Sequence, residues 1–116
     1  MSYDLTFWKT SDKTITDNNA IYLALLDGQY LSNIDELPSA QIQNDFNEVF
    51  SDWENTNNTS YEKGSEFFHL MISKQFVSAA CYAVTQGNMN RIMDILFEYG
   101  CPLYDAQLNI RFDSDS

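Results

Sequence analysis

A chain of 116 residues carrying 17 acidic and 6 basic side chains, net charge −11, is read as one domain, 1–116, large enough to bury roughly two thirds of its unfolded surface without a disulfide or metal staple. The acidity argues against nucleic acid or an anionic membrane as partner and favours a basic protein. Charge alone suits equally well a surface that only keeps a small protein in solution.

The opening MSYDLTFWK carries Asp4 and Lys9 where a leader would have a basic segment and an apolar run, so neither a signal peptide nor a targeting presequence is expected. No apolar run approaches the ~18 residues of a membrane span, and the expected location is cytoplasmic. Tyr3, Leu5 and Phe7 alternate with Asp4, Thr6 and Trp8, which predicts a half-buried strand over residues 2–9. After the polar TSDKTITD, Thr16 or Asp17 is placed to cap a helix over 18–28, with Ile21 and Leu25 inward and Gly28 closing it. Residues 29–38 connect to a second helix opened by Pro38 and Ser39, where Ile42, Phe46, Val49, Phe50 and Trp53 form one stripe. Between Lys13 and Lys63 there is no basic residue, while nine acidic ones occur, among them Asp35, Glu36, Asp45, Glu48, Asp52 and Glu54.

ENTNNTSYEKGSE, residues 54–66, reads as a mobile loop, although a short strand near 56–61 would displace the second helix. Next comes FFHLMISKQFVSAACYA, residues 67–83, with one basic and no acidic side chain. Phe68, Leu70 and Ile72, then Val77, Ala79 and Cys81, alternate on either side of Ser73, Lys74 and Gln75. This predicts a hairpin, apolar on both faces, in the middle of a covered sheet with the flanking amphipathic helices lying across it. Asn88 is the expected cap of a third helix with Met89, Ile92, Leu96 and Tyr99 buried, ended by Gly100 and Pro102. Leu108, Ile110 and Phe112 predict a last strand before a frayed tail over 113–116. The order gives an α+β fold, a ferredoxin-like βαββαβ sandwich with an additional helix and a four-stranded, mainly antiparallel sheet in which strands one and three lie side by side.

Catalytic signatures are absent from the sequence. His69, the single histidine, has no carboxylate or nucleophile signature beside it and reads as structural. Asp35 with Glu36, and Asp52 with Glu54, lack the spacing of a calcium loop. Cys81 and Cys101 lack ligand or redox spacing and read as two buried thiols. No cofactor or metal is expected. Tyr30, Trp53 and Tyr61 border the acidic half, where an aromatic ring beside carboxylates has the composition of a protein-binding hot spot. Trp53 also continues the core stripe of the second helix. A ferredoxin-like small-molecule-binding or regulatory domain is the alternative function, with His69 and Ser78 lining a pocket between sheet and helices.

Met1–Lys9, YDAQ at Tyr104–Gln107 and the intervening helix, hairpin, helix order resemble small bacterial immunity proteins of polymorphic toxin systems, those of contact-dependent growth inhibition or related secreted toxins. That group often has Pro where this chain has Ala106. The resemblance implies a cytosolic inhibitor, monomeric when free and without an active site, that occludes a cognate toxin domain stoichiometrically. Many such toxins are basic nucleases, and an acidic patch fits a phosphate-binding cleft. The toxin-binding candidates are then Asp35, Glu36, Asp45, Glu48, Asp52, Trp53, Glu54 and Tyr61.

Overall fold

Alternation in the first strand divides the chain's core in two. The structure, a computed structural model, describes residues 3–9, 18–32 and 34–105, and the backbone of 110–112. In β1 (Tyr3–Phe7), Leu5 and Phe7 point into one apolar cluster, while Trp8, just past the strand, enters another. The first cluster lies between the sheet and α2 (Ser39–Val49) with α3 (Gln86–Glu98). The second lies under α1 (Asn18–Leu26), whose Ile21 and Leu25 meet Trp8, Phe76 and Tyr104. Gly28 follows α1 in the left-handed region (φ 81°), as expected of a residue that ends a helix. Thr16 and Asp17, nominated as its cap, lie outside the described residues.

The remaining strands are β2 (Glu54–Thr56), β3 (Ser60–Lys63), β4 (Glu66–Ile72), β5 (Val77–Tyr82), β6 (Leu103–Asp105) and β7 (Ile110–Phe112). They pair antiparallel throughout in the order β2-β3-β4-β5-β1-β6-β7. The fold is α+β, and β1 lies beside β5 as expected for strands one and three. The sheet is seven-stranded, not four-stranded. The extra strands come from two places. The stretch expected to be a mobile loop forms the β2–β3 hairpin, because Asn57 and Asn58 both take φ near +60° (57° and 61°). A type I′ turn requires this of its two central residues, and asparagine tolerates it. Thr59 N then bonds Thr56 O at 3.1 Å. The second addition is β6, three residues that fall between Pro102 and the predicted last strand. Leu108 and the tail 113–116 lie outside the described residues.

α2 ends at Val49, so Phe50 and Trp53 of its expected stripe lie in the turn that follows, and the cap of α3 is corrected. The side chain of Thr85, not Asn88, caps α3, accepting from Asn88 N at 3.3 Å. At the other end Gly100 (φ 75°) lets Cys101 N reach Leu96 O at 3.1 Å and Gly100 N reach Phe97 O at 3.0 Å, the paired bonds of a Schellman motif. Ile92, Ile95 and Leu96 are buried, with Met89 and Tyr99 at the margin. Both cysteines are free and buried, and burial pushes the Cys81 thiol up to about 12. Gln75, buried at the β4–β5 turn, fastens the connector: its amide accepts from Leu31 N at 2.9 Å and donates to Leu31 O at 2.6 Å and Ile34 O at 2.9 Å. Among the described residues no helix is long and apolar enough to cross a membrane.

Helices lie across the central hairpin as expected, and among the described residues they cover one of its faces. A helix about 10 Å wide spans about two strands at ~4.8 Å spacing, so α2 and α3 together cover about four strands of one face. A single short α1 covers about two of the other, over β1 and β6. Phe68, Leu70, Val77, Ala79 and Cys81 are therefore buried, whereas His69, Met71 and Tyr82, pointing the other way, are exposed.

Candidate functional site

Cross-strand register builds a continuous row on the uncovered half of the sheet. Glu54 of β2 stands opposite Glu62 of β3, Glu62 opposite Phe67 of β4, and Phe67 opposite Tyr82 of β5. Their alternate neighbours Tyr61, Phe68 and Cys81 fill the core, so the row faces away from α2 and α3. At one end two exposed carboxylates oppose each other directly, an arrangement that costs stability. At the other end Phe67 and Tyr82 lie with ring centroids 5.6 Å apart. The next row places Ser60, His69 and Ala80 side by side, and Met71 lies opposite Ser78. Met71 and Tyr82 are 47% and 43% exposed, large values for apolar groups at the middle of a sheet, and among the described residues nothing packs over them.

A second acidic cluster lies between α2 and α3. Asp45, Glu48, Asp94 and Glu98 surround a groove of about 360 Å³ with Val49, Arg91 and Ile95. Its charge is partly engaged. The Arg91 guanidinium donates to the Val49 carbonyl and, at 3.1 Å, to Asn88 Oδ1, and lies 4.7 Å from the Phe50 ring centroid. A cation at the C-terminal end of α2 is favourably placed against the helix dipole. Tyr99 donates its hydroxyl to Asp45, and that carboxylate pushes the phenol up to about 12. These contacts tie the helices together.

The residues nominated from the sequence therefore divide among different places. Asp35 and Glu36 sit on the connector, the first donating its N–H to Lys9 O at 2.8 Å and the second accepting from Tyr30 Oη at 3.3 Å. Asp45 and Glu48 line the groove. Asp52 pairs with Lys63, whose hydrogen bond holds the carboxyl below its usual range. Glu54 lies in the sheet row. Trp53 and Tyr61 are corrected outright: at 5% and 0% exposure neither ring is available as an anchor. Trp53 packs edge-on to Phe50 at 5.2 Å, and Tyr61 stacks on Phe68 at 4.8 Å. The Tyr61 hydroxyl donates to Asn47 Oδ1 at 2.7 Å and accepts from Gln43 Nε2 at 2.9 Å, fastening the hairpin to α2.

Sequence reasoning passed over Glu62, Phe67, Met71 and Tyr82, and over Asp94 and Glu98. The last two are four residues apart on the polar side of α3 and were legible as such. The sheet row was not, because it exists only once the register is set. His69 is exposed on the open face, and with Ser78 it faces away from α2 and α3. The space between the sheet and α2 with α3, where the alternative function would need a small-molecule pocket, is filled by the main core. Among the described residues no group of three His, Cys, Asp or Glu side chains is arranged to hold a metal ion.

No family model matches this chain, and no curated protein sequence matches it.

Proposed function

We propose that the protein is an immunity protein that binds a basic toxin domain, a nuclease in the favoured case, and neutralises it stoichiometrically in the cytoplasm, with no active site of its own. The observation that carries this is the pair Glu54 and Glu62, directly opposed on an exposed edge hairpin. Among the described residues neither has a cation partner, and the nearest lysine, Lys63, is engaged by Asp52. Carboxylates held together at a cost to folding are what a surface that meets cations would retain. We also read the inner order β4-β5-β1-β6 as a ferredoxin-like core extended at both edges, with α2 as the additional helix.

The test is Glu62→Lys against the toxin domain encoded beside this chain's own gene. Replacing a like pair by an opposite pair should leave the melting temperature unchanged or raise stability by ~0.2–1 kcal/mol. Association should slow by about tenfold at low salt, and the difference should shrink as salt rises. A control pair, Glu48→Lys and Asp94→Lys, reverses charge in the groove and should slow association less. Normal association by Glu62→Lys with slow association by the groove pair would remove the hairpin from the interface.

A further inference from the structure

We propose that the uncovered half of the sheet is the anchoring surface for the partner, and that the partner presents an apolar centre flanked by arginine or lysine. The inference rests on the binding reading above and deepens it by naming the anchor. An interface of ordinary affinity needs a buried large side chain at its centre, ringed by groups that exclude water. Trp53 and Tyr61 are in the core, and Tyr30, though exposed, stands alone on the connector with its hydroxyl on Glu36, so the anchor lies elsewhere. Of the exposed large apolar groups, Tyr82 is paired with a second ring, Phe67, on the open sheet face, and Met71 lies two rows further along the same face, beyond His69 and Ala80. Methionine reshapes to fit a partner, and tyrosine supplies contact area at low entropic cost.

Charge selects the occupant. The aromatic pair continues in register into Glu62 and Glu54, and the described residues of β2 to β5 on this face include no lysine or arginine. A second copy of the chain would bring the same carboxylates and a charge of −11 against −11, and nucleic acid would be repelled likewise. A basic protein surface meets both ends of the row: its apolar centre covers Phe67, Met71 and Tyr82, and its cations meet Glu62 and Glu54.

The experiment uses the full chain and the toxin domain encoded beside its gene. Tyr82→Ser with Met71→Ser, both at exposed positions, should leave the melting temperature within a few degrees of wild type and speed dissociation about thirtyfold or more. A second readout needs no variant. In the wild-type complex, peroxide should oxidise Met71 several times more slowly than in the free chain. If the doubly substituted chain binds as tightly as wild type and Met71 oxidises at its free rate in the complex, the docking surface is overturned and the inhibitor reading stands. If the wild-type chain forms no complex with that domain, the inhibitor reading is overturned and this surface falls with it.

Discussion

Replacing Trp53 by alanine separates core from interface most directly. The indole is 5% exposed, edge-on to Phe50 at 5.2 Å and tilted against Phe68 at 5.6 Å. Its backbone N–H bonds Phe50 O at 3.0 Å, which fixes the turn out of α2. Removing a large ring from such a site costs ~3–5 kcal/mol, the lost transfer energy plus a cavity that neighbours only partly fill. At ~0.05–0.15 kcal/mol per residue a chain of this length has ~6–17 kcal/mol in all, so the loss is a large fraction of the total. Melting should fall by roughly 10–25 °C. Urea unfolding followed by circular dichroism, with unchanged slope, gives the free energy directly. An interface anchor behaves in reverse, with unaltered melting and ~2 kcal/mol or more lost from binding. A stability loss below ~1 kcal/mol, together with failure to bind the partner, would refute the burial argument.

Two further predictions concern stability. Leu96→Ala, at a fully buried position of α3, should cost ~2–5 kcal/mol, and a loss under ~1 kcal/mol in denaturant titration would mean that α3 does not pack on the sheet as described. Five of the seven tyrosines, Tyr3, Tyr22, Tyr30, Tyr61 and Tyr99, have raised pKa values. A raised phenol pKa means that the folded chain keeps protons the unfolded chain releases. Their contribution to stability is therefore complete below pH ~10 and declines as pH climbs toward the raised values, about 12 for Tyr99. Absorbance from these five tyrosinates should develop late and with unfolding, and their simultaneous ionisation near pH ~10 would contradict the contacts.

Much of the fold was legible because single elements carry their own periodicity. β1, α2, the β4–β5 hairpin and α3 follow from alternation or a helical stripe within one segment, with boundaries shifted by a residue or two at most positions. What escaped depends on relations between segments. Tyr61 sits among polar residues and reads as a loop aromatic, yet pairing with Phe68 turns it inward. The asparagine-rich tip reads as loop because it is a turn, and the strands on either side are too short to show a period. β6 is three residues long and is defined by its partner β1. Coverage of the sheet faces is a matter of counting: apolar strands invite helices, but the three helices among the described residues cannot cover seven strands twice. The candidate surface is the consequence of that shortage.

Whether the acidity serves solubility or recognition turns on register. A net charge of −11 keeps a protein dispersed wherever the carboxylates stand, and solubility is indifferent to which strand position carries them. Directly opposed like charges are not neutral in this sense, since the Glu54 and Glu62 pair costs the hairpin ~0.2–1 kcal/mol relative to a neutral pair. The hairpin lies at the edge of the sheet, where short strands and charged side chains also prevent pairing with other chains, and one carboxylate would serve that purpose. Lys63 is the next residue along, and its side chain is directed to Asp52 on the other face. A lysine at position 62 would pair with Glu54 across the strands while keeping the edge charged. That the chain carries glutamate there, in line with the exposed Tyr82 and its half-buried partner Phe67, favours recognition. A lysine in that place that raised stability and left association unchanged would return the acidity to solubility alone.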